Sequence, residues 1–279
     1  MSSLKIWRRA LLTLGLSLVT AAAFAQTQTQ TQTKPFEPQV GQAGKDVVWV
    51  PTPQALVDKM LDMASVTAQD FVFDLGSGDG RTVITAAKRG ATAVGIEYDP
   101  NMVELSQRNA ASAGVNGKAT FMKADLFETD FSKATVITMF LLPSINLQLR
   151  PKILDMKPGT RVVSNTFTMD DWQPDEKATI EPCERWCTAL FWIVPAKVEG
   201  TWQTGQASLT LKQQFQTISG TLGSGSRQTP ITEGKLRGDQ ITFMAGAAKY
   251  EGRVNGNRME GTLVSGGRSS SWDATRSGR

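Results

Sequence analysis

A chain of 279 residues with 30 basic and 26 acidic side chains has room for two domains and a small net positive charge. It contains no histidine and two cysteines. That excludes a Ser-His-Asp triad, an imidazole base and a histidine-ligated metal, so no metal site is expected. Charge divides unevenly: residues 26–195 carry 16 basic against 20 acidic side chains, and residues 196–279 carry 11 against 6.

Lys5, Arg8 and Arg9 precede an apolar run over 10–23, and Ala23-Phe24-Ala25 supplies small residues for a cleavage site. This predicts a secretory signal peptide over 1–25, cleaved after Ala25, and export to a bacterial periplasm. The run is short for a membrane span, and nothing else is long or apolar enough, so the mature chain is expected to have no transmembrane span. A Gln-Thr repeat over 26–33 has no core-forming residues, and 26–44 is expected to be a polar linker.

Thr52 followed by Pro53 matches an N-cap and first-turn proline for a helix through Met63. Phe71 to Leu75 is an apolar strand with an acid, Asp74, near its end. It breaks into Gly76-Ser77-Gly78-Asp79-Gly80, and 82–88 carries a helical pattern. A strand, a glycine turn and a helix N-terminus form a cradle for a nucleotide. A dinucleotide site expects Gly-x-Gly-x-x-Gly, and here the third glycine comes one residue early, which disfavours an NAD-dependent oxidoreductase. Taken alone, the loop is equally an ordinary glycine-rich turn.

Thr92 to Glu97 is a second strand ending in an acid, roughly 20 residues past the loop, the interval at which a carboxylate reaches a ribose. By itself Glu97 also fits an exposed strand-end acid. Asp99 and Pro100 open a helix as N-cap and N1, with Met102, Val103, Leu105 and Ala110 as its apolar positions. Residues 120–125 form a third strand ending at Asp125, which also suits an N-cap before Leu126 and Phe127. Residues 134–140 are a fourth strand, followed by Leu141-Leu142-Pro143-Ser144, with Ser144 placed to cap a helix from Ile145 to Met156. Residues 161–167 are a fifth strand. Strands alternating with helices predict an α/β, Rossmann-like sheet with helices on both faces. Ligands on such sheets sit at the strands' carboxyl ends, where Asp74, Glu97, Asp125 and Phe140 all fall.

Cys183 and Cys187 admit either a disulfide across the turn between two C-terminal strands or two free, half-buried thiols; the leader favours the disulfide. Composition changes after Pro195. Eight short strand-like runs follow between Lys197 and Ala274, punctuated by Gly, Asn and Asp, with Gly-Thr pairs at 200–201, 220–221 and 261–262. The pattern predicts an antiparallel meander closing into a small all-β barrel over 196–279, similar to lipocalin-like barrels. A basic barrel suits an acidic surface or plain solubility. There is no nucleic-acid motif, and the aromatics are not interleaved with a basic stripe.

The loop from Asp74 to Gly80 resembles motif I of the class I S-adenosyl-L-methionine-dependent methyltransferases. Together with Val50-Pro51-Thr52-Pro53, Val94 to Glu97, Ala124-Asp125-Leu126, Phe140 to Ser144, Arg161 to Ser164 and Trp172-Gln173-Pro174, it resembles one family over 45–195. That family is the protein-lysine methyltransferases that include the ATP synthase c-subunit and adenine nucleotide translocase enzymes. The resemblance implies S-adenosyl-L-methionine as cofactor and a protein lysine as acceptor. It implies Asp74, Gly76, Ser77, Gly78 and Gly80 as the cofactor loop, Glu97 for the ribose, and Asp125 with Leu126 for the adenine. Thr52, Phe140, Pro143 and Ser144 are then candidates near the transferred methyl group. Two other functions remain open at this point: methylation of a small molecule, and a non-catalytic exported binding protein on the same fold. Export also conflicts with a cytosolic cofactor. A periplasmic supply, an uncleaved anchor with the domain facing inward, or another ligand would each resolve the conflict.

Overall fold

The structure, a computed structural model, describes residues 36–277. The expected signal peptide over 1–25 and the Gln-Thr repeat over 26–33 lie outside the described residues. Chain order is α1 (Gln54–Met63), β1 (Phe71–Leu75), α2 (Arg81–Lys88), β2 (Thr92–Glu97), α3 (Pro100–Ser112), β3 (Ala119–Lys123), β4 (Val136–Met139), α4 (Pro143–Leu154), β5 (Arg161–Asn165), β6 (Glu176–Thr179) and β7 (Thr188–Ile193). The seven strands form one sheet in the order β3-β2-β1-β4-β5-β7-β6. The first five are parallel, and β7 runs antiparallel to β5 and β6. Strand order reverses between β1 and β4, which opens a crevice at their carboxyl ends.

Strict alternation along each central strand feeds two cores. Val72, Val136 and Val163 face α1, α2 and α3, while Phe73, Ile137 and Val162 face α4. Four residues of α1, Leu56, Val57, Met60 and Leu61, are at most 2% exposed. Burial of this kind contributes roughly 1.5–3 kcal/mol per large side chain, enough to fix the helix on the sheet. At the opposite end of the sheet from the crevice, Asp70 joins three segments. It accepts from Thr67 N at 2.8 Å and Thr135 Oγ1 at 2.7 Å, and pairs with Arg161.

Several boundaries differ from the sequence reading. The third strand stops at Lys123, leaving Asp125 in the following turn. The fifth stops at Asn165 because Thr166 takes a left-handed φ of 60°. Thr52 is not the cap of α1, since Pro53 occupies that position. Ser144 is not the cap of α4: Pro143 takes N1 and Leu142 precedes it as N-cap. A proline's fixed φ and missing N–H suit the start of a helix, so each boundary is set by the ring rather than by the neighbouring hydroxyl.

After Ile193 the chain enters a closed antiparallel barrel: β8 (Gly200–Thr204), β9 (Ala207–Gln214), β10 (Thr217–Ser224), β11 (Arg227–Arg237), β12 (Gln240–Ala245), β13 (Ala248–Asn255), β14 (Arg258–Ser265) and β15 (Arg268–Arg276). Each strand pairs with the next, and β15 closes on β8. Side chains fill the interior. Phe243 and Tyr250 stack with centroids 4.6 Å apart, and Trp272 meets both edge-on. The barrel packs on the α4 side of the sheet. Phe215 stacks on Trp172 at 5.9 Å, Arg150 lies 5.3 Å from the Phe215 ring, and Gln216 Nε2 donates to Gln173 O at 2.8 Å. The Trp172-Gln173 segment is thus part of the seam between sheet and barrel.

Candidate functional site

The turn after β1 is shaped by its glycines. Gly76, Gly78 and Gly80 have φ values of 78°, 54° and 83°, in the region that disfavours any side chain. A Cβ on Gly80 would lie 2.7 Å from the Phe121 ring, and one on Gly78 would lie 2.7 Å from Trp49 Nε1. The loop folds back over β2, where the amides of Gly76 and Ser77 both donate to Ile96 O at 2.9 Å. From α3, Ser106 Oγ donates to Gly78 O at 2.8 Å and Asn109 Nδ2 to Asp79 O at 2.9 Å. Arg81 pairs with Asp79 at 2.6 Å and donates from Nη1 to Thr52 O at 2.9 Å, joining the loop to the start of α1.

Three carboxylates surround this loop. Asp74 is 5% exposed and accepts from Thr138 Oγ1 at 2.7 Å. Burial pushes its carboxyl up to about 7. The Thr138 hydrogen bond opposes that rise, and the negative Asp79 and Glu97 add to it. Glu97 accepts from Gly78 N at 2.9 Å through one oxygen, and from Tyr98 N at 2.8 Å and Asp99 N at 3.0 Å through the other. Asp125 accepts from Lys45 Nζ at 2.6 Å and from Phe127 N at 2.9 Å, and these two bonds hold its carboxyl below the ordinary range.

Lys45 belongs to a segment that forms a loop over the crevice, although residues up to 44 were expected to be a polar linker. Gly41 N donates to Trp49 O and Trp49 N to Gln42 O, each at 2.9 Å. Beneath this strap lies a cleft of about 450 Å³, within the range of small-molecule sites. It is lined by Asp74, Gly76, Ser77, Gly78, Glu97, Asp125 and Leu126, and at its other end by Thr52, Phe140, Phe167 and Trp186. Gly80 shapes the turn from outside that lining. Pro143 and Ser144 are exposed on the first turn of α4, outside the lining that includes their neighbours Leu142 and Ile145. Thr52 is buried, its hydroxyl accepting from Asn165 Nδ2 at 3.3 Å.

The sequence reading did not single out Lys45, Trp49, Thr138, Phe167 or Trp186 as site residues. Trp49 stands directly before the Val-Pro-Thr-Pro element, and Trp186 lies between the two cysteines; both positions were available as signals. The Cys183–Cys187 disulfide is formed.

The cleft fits S-adenosyl-L-methionine. Ser77 Oγ is buried without a hydrogen-bond partner among the described residues, and the backbone of Gly76 and Gly78 lines the cleft. Asp74, Glu97 and Asp125 line the cleft, and carboxylates are the acceptor type that hydroxyl and amino donors of such a ligand need.

Comparison with known proteins agrees with this geometry. Residues 74–176 match the ANTKMT methyltransferase domain. A protein-lysine N-methyltransferase from Saccharolobus islandicus is 46% identical over 151 residues, 53% of this chain and 94% of that protein. The ATP synthase c-subunit lysine N-methyltransferase of Homo sapiens is 37% identical over 128 residues, 46% of this chain and 54% of that protein's length. Among solved structures, an RNA methyltransferase from Salinibacter ruber in complex with S-adenosyl-L-homocysteine is 46% identical. The match has a TM-score of 0.51 and covers 53% of this chain and 96% of that one. With the cleft intact, the chain is an S-adenosyl-L-methionine-dependent methyltransferase and belongs to the protein-lysine N-methyltransferase family.

Proposed function

We propose that this enzyme methylates lysine ε-amino groups in protein acceptors. The observation that carries the acceptor is the 46% identity across 94% of the Saccharolobus islandicus protein-lysine N-methyltransferase. When bound, S-adenosyl-L-methionine supplies a methyl group on a positively charged sulfur, already activated for displacement. Gly76, Ser77, Gly78 and Gly80 would form its loop, with Asp74 beside them, Glu97 toward the ribose, and Asp125 with Leu126 toward the adenine. What remains for the chain is alignment and exclusion of water. Thr52 and Phe140 border the acceptor end, and the strap carrying Lys45 and Trp49 covers the other. An incoming lysine must shed a proton before its nitrogen can attack the methyl carbon. No histidine exists to accept it, so water or a carboxylate does.

The test is transfer of a tritiated methyl group from S-adenosyl-L-methionine by the purified protein into protein, RNA and small-molecule fractions. Label recovered as methyl-lysine after acid hydrolysis supports the reading. Label confined to RNA or to a small molecule overturns it.

We further infer that the enzyme works outside the cytosol. The leader over 1–25 supports this, and a disulfide belongs to an oxidising compartment. Mass spectrometry of the N-terminus from a periplasmic fraction tests it. A chain beginning at Gln26 supports export, and an intact leader on a cytosolic chain overturns it.

A further inference from the structure

Three aromatic rings meet at the acceptor end of the cleft, each delivered by a different strand end. Phe140 follows β4, Phe167 follows β5, and Trp186 sits in the loop between β6 and β7. The Phe140 and Phe167 centroids are 5.7 Å apart with the rings nearly parallel, at 19°. Trp186 leans on both, at 5.8 Å and 60° from Phe140 and at 5.3 Å and 49° from Phe167. None of the three belongs to either core of the sheet domain. Trp186 is 36% exposed, a large indole held open to solvent at the cleft mouth.

The backbone positions these rings at some cost. Phe167 O accepts from Ser164 Oγ at 2.8 Å and from Asn146 Nδ2 at 3.3 Å, which fixes the turn after β5. Trp186 has a φ of 60°, a region bulky residues rarely enter, and it lies within the five-residue loop closed by Cys183–Cys187. Core packing does not account for a half-exposed tryptophan held this way.

We propose that Phe140, Phe167 and Trp186 form a binding wall for the alkylammonium side chain of the acceptor, and that the Cys183–Cys187 bridge is what holds Trp186 in it. The proposal rests on lysine as acceptor and names how that lysine is selected. Aromatic faces carry negative charge density and attract an ammonium within about 6 Å, while the methylene stem packs on the rings. The rings touch one another, and the indole meets the two phenyl rings at steep angles. They therefore offer a cupped outer face that suits a thin cationic chain better than a flat nucleobase sandwiched between parallel planes.

The test uses the full protein saturated with S-adenosyl-L-homocysteine. Binding of two probes, Nα-acetyl-lysine methylamide and its uncharged norleucine counterpart, is followed by saturation-transfer NMR. The lysine probe is expected to bind more tightly. Trp186→Ala should weaken it by about 2- to 5-fold, the span of a solvent-exposed cation–π contact, and Trp186→Phe should restore most of the loss. Cys183→Ser/Cys187→Ser should weaken it similarly, with S-adenosyl-L-homocysteine affinity kept within about twofold of wild type, a check that the fold survives. Equal binding of both probes or an unaffected Trp186→Ala variant would overturn the proposal. Methyl-lysine formation by wild type with an unchanged acceptor KM in Trp186→Ala sinks this proposal alone. A Trp186-dependent lysine probe in a protein that labels no lysine sustains the wall and sinks the assigned reaction.

Discussion

The amide of Gly78 donates to a carboxylate oxygen of Glu97 across 2.9 Å, tying the middle of the glycine loop to the end of β2. The other oxygen of Glu97 takes the amides of Tyr98 and Asp99. Glu97 therefore organises three main-chain donors as well as facing the cleft. Hydrogen bonds to a charged group are each worth about 1.5–3 kcal/mol. Glu97→Ala should lower S-adenosyl-L-homocysteine affinity at least about tenfold, since about 1.4 kcal/mol is a factor of ten. Calorimetric titration checks this; undiminished affinity would remove Glu97 from the site.

Gly80 and Gly114 separate two costs of adding a side chain. Both have positive φ, 83° and 69°, but a Cβ on Gly114 meets nothing within 4 Å, whereas on Gly80 it would press on Phe121 and Ser106. Both alanine variants should lose about 1–2 kcal/mol from the backbone. Gly80→Ala should lose about 1–3 kcal/mol more from overpacking. Urea unfolding curves of the two variants give the difference directly. Equal losses would mean that Phe121 and Ser106 move aside freely.

These examples show why part of the site was legible in the sequence. Three glycines at short spacing with flanking acids at strand ends are local signals, and each marks a backbone conformation or a charge that has few other uses. The barrel was legible because alternation and turn residues recur eight times along the chain. Lys45 was not, since its partner Asp125 lies 80 residues away and a lysine in a polar stretch has no pattern of its own. Trp186 was hidden similarly: its neighbours Phe140 and Phe167 come from two other strand ends. The caps at Thr52 and Ser144 were misjudged because the adjacent prolines set the helix starts.

Trp172 and Phe215 are the aromatic contact in the seam between sheet and barrel, stacked at 5.9 Å and 16°, with Arg150 near the Phe215 ring; Arg237–Glu176 and Gln216–Gln173 also cross it. Removing this ring should uncouple the two parts more than it harms either. Phe215→Ala is expected to split a single thermal transition into two, resolved by calorimetry, while cofactor affinity stays within about twofold because, among the described residues, none from the barrel lines the cleft. One unsplit transition at the wild-type temperature would show that the seam does not depend on this stack.

Asp74 makes a prediction about pH. In the folded chain its carboxyl holds a proton up to about 7, against an ordinary value of 3.8. The folded state therefore binds more protons than the unfolded state between those values. Its contribution to stability is whole below 3.8 and declines as pH rises toward 7. Ligand binding has the opposite sign. The methionine end of S-adenosyl-L-methionine brings positive charge into the cleft, which favours ionised Asp74, so binding releases a proton. Affinity should rise with pH between about 5.5 and 7.5, by no more than about tenfold per unit, and level off above. Asp74→Asn, which carries no titrating group, should flatten the profile while lowering affinity at neutral pH. Thr138→Val should move the rise to higher pH, because it removes the hydrogen bond that favours the charged carboxylate. Calorimetric titrations in buffers of different ionisation enthalpy count the proton released. A flat wild-type profile with no proton release would place Asp74 ionised throughout and detach it from the binding equilibrium.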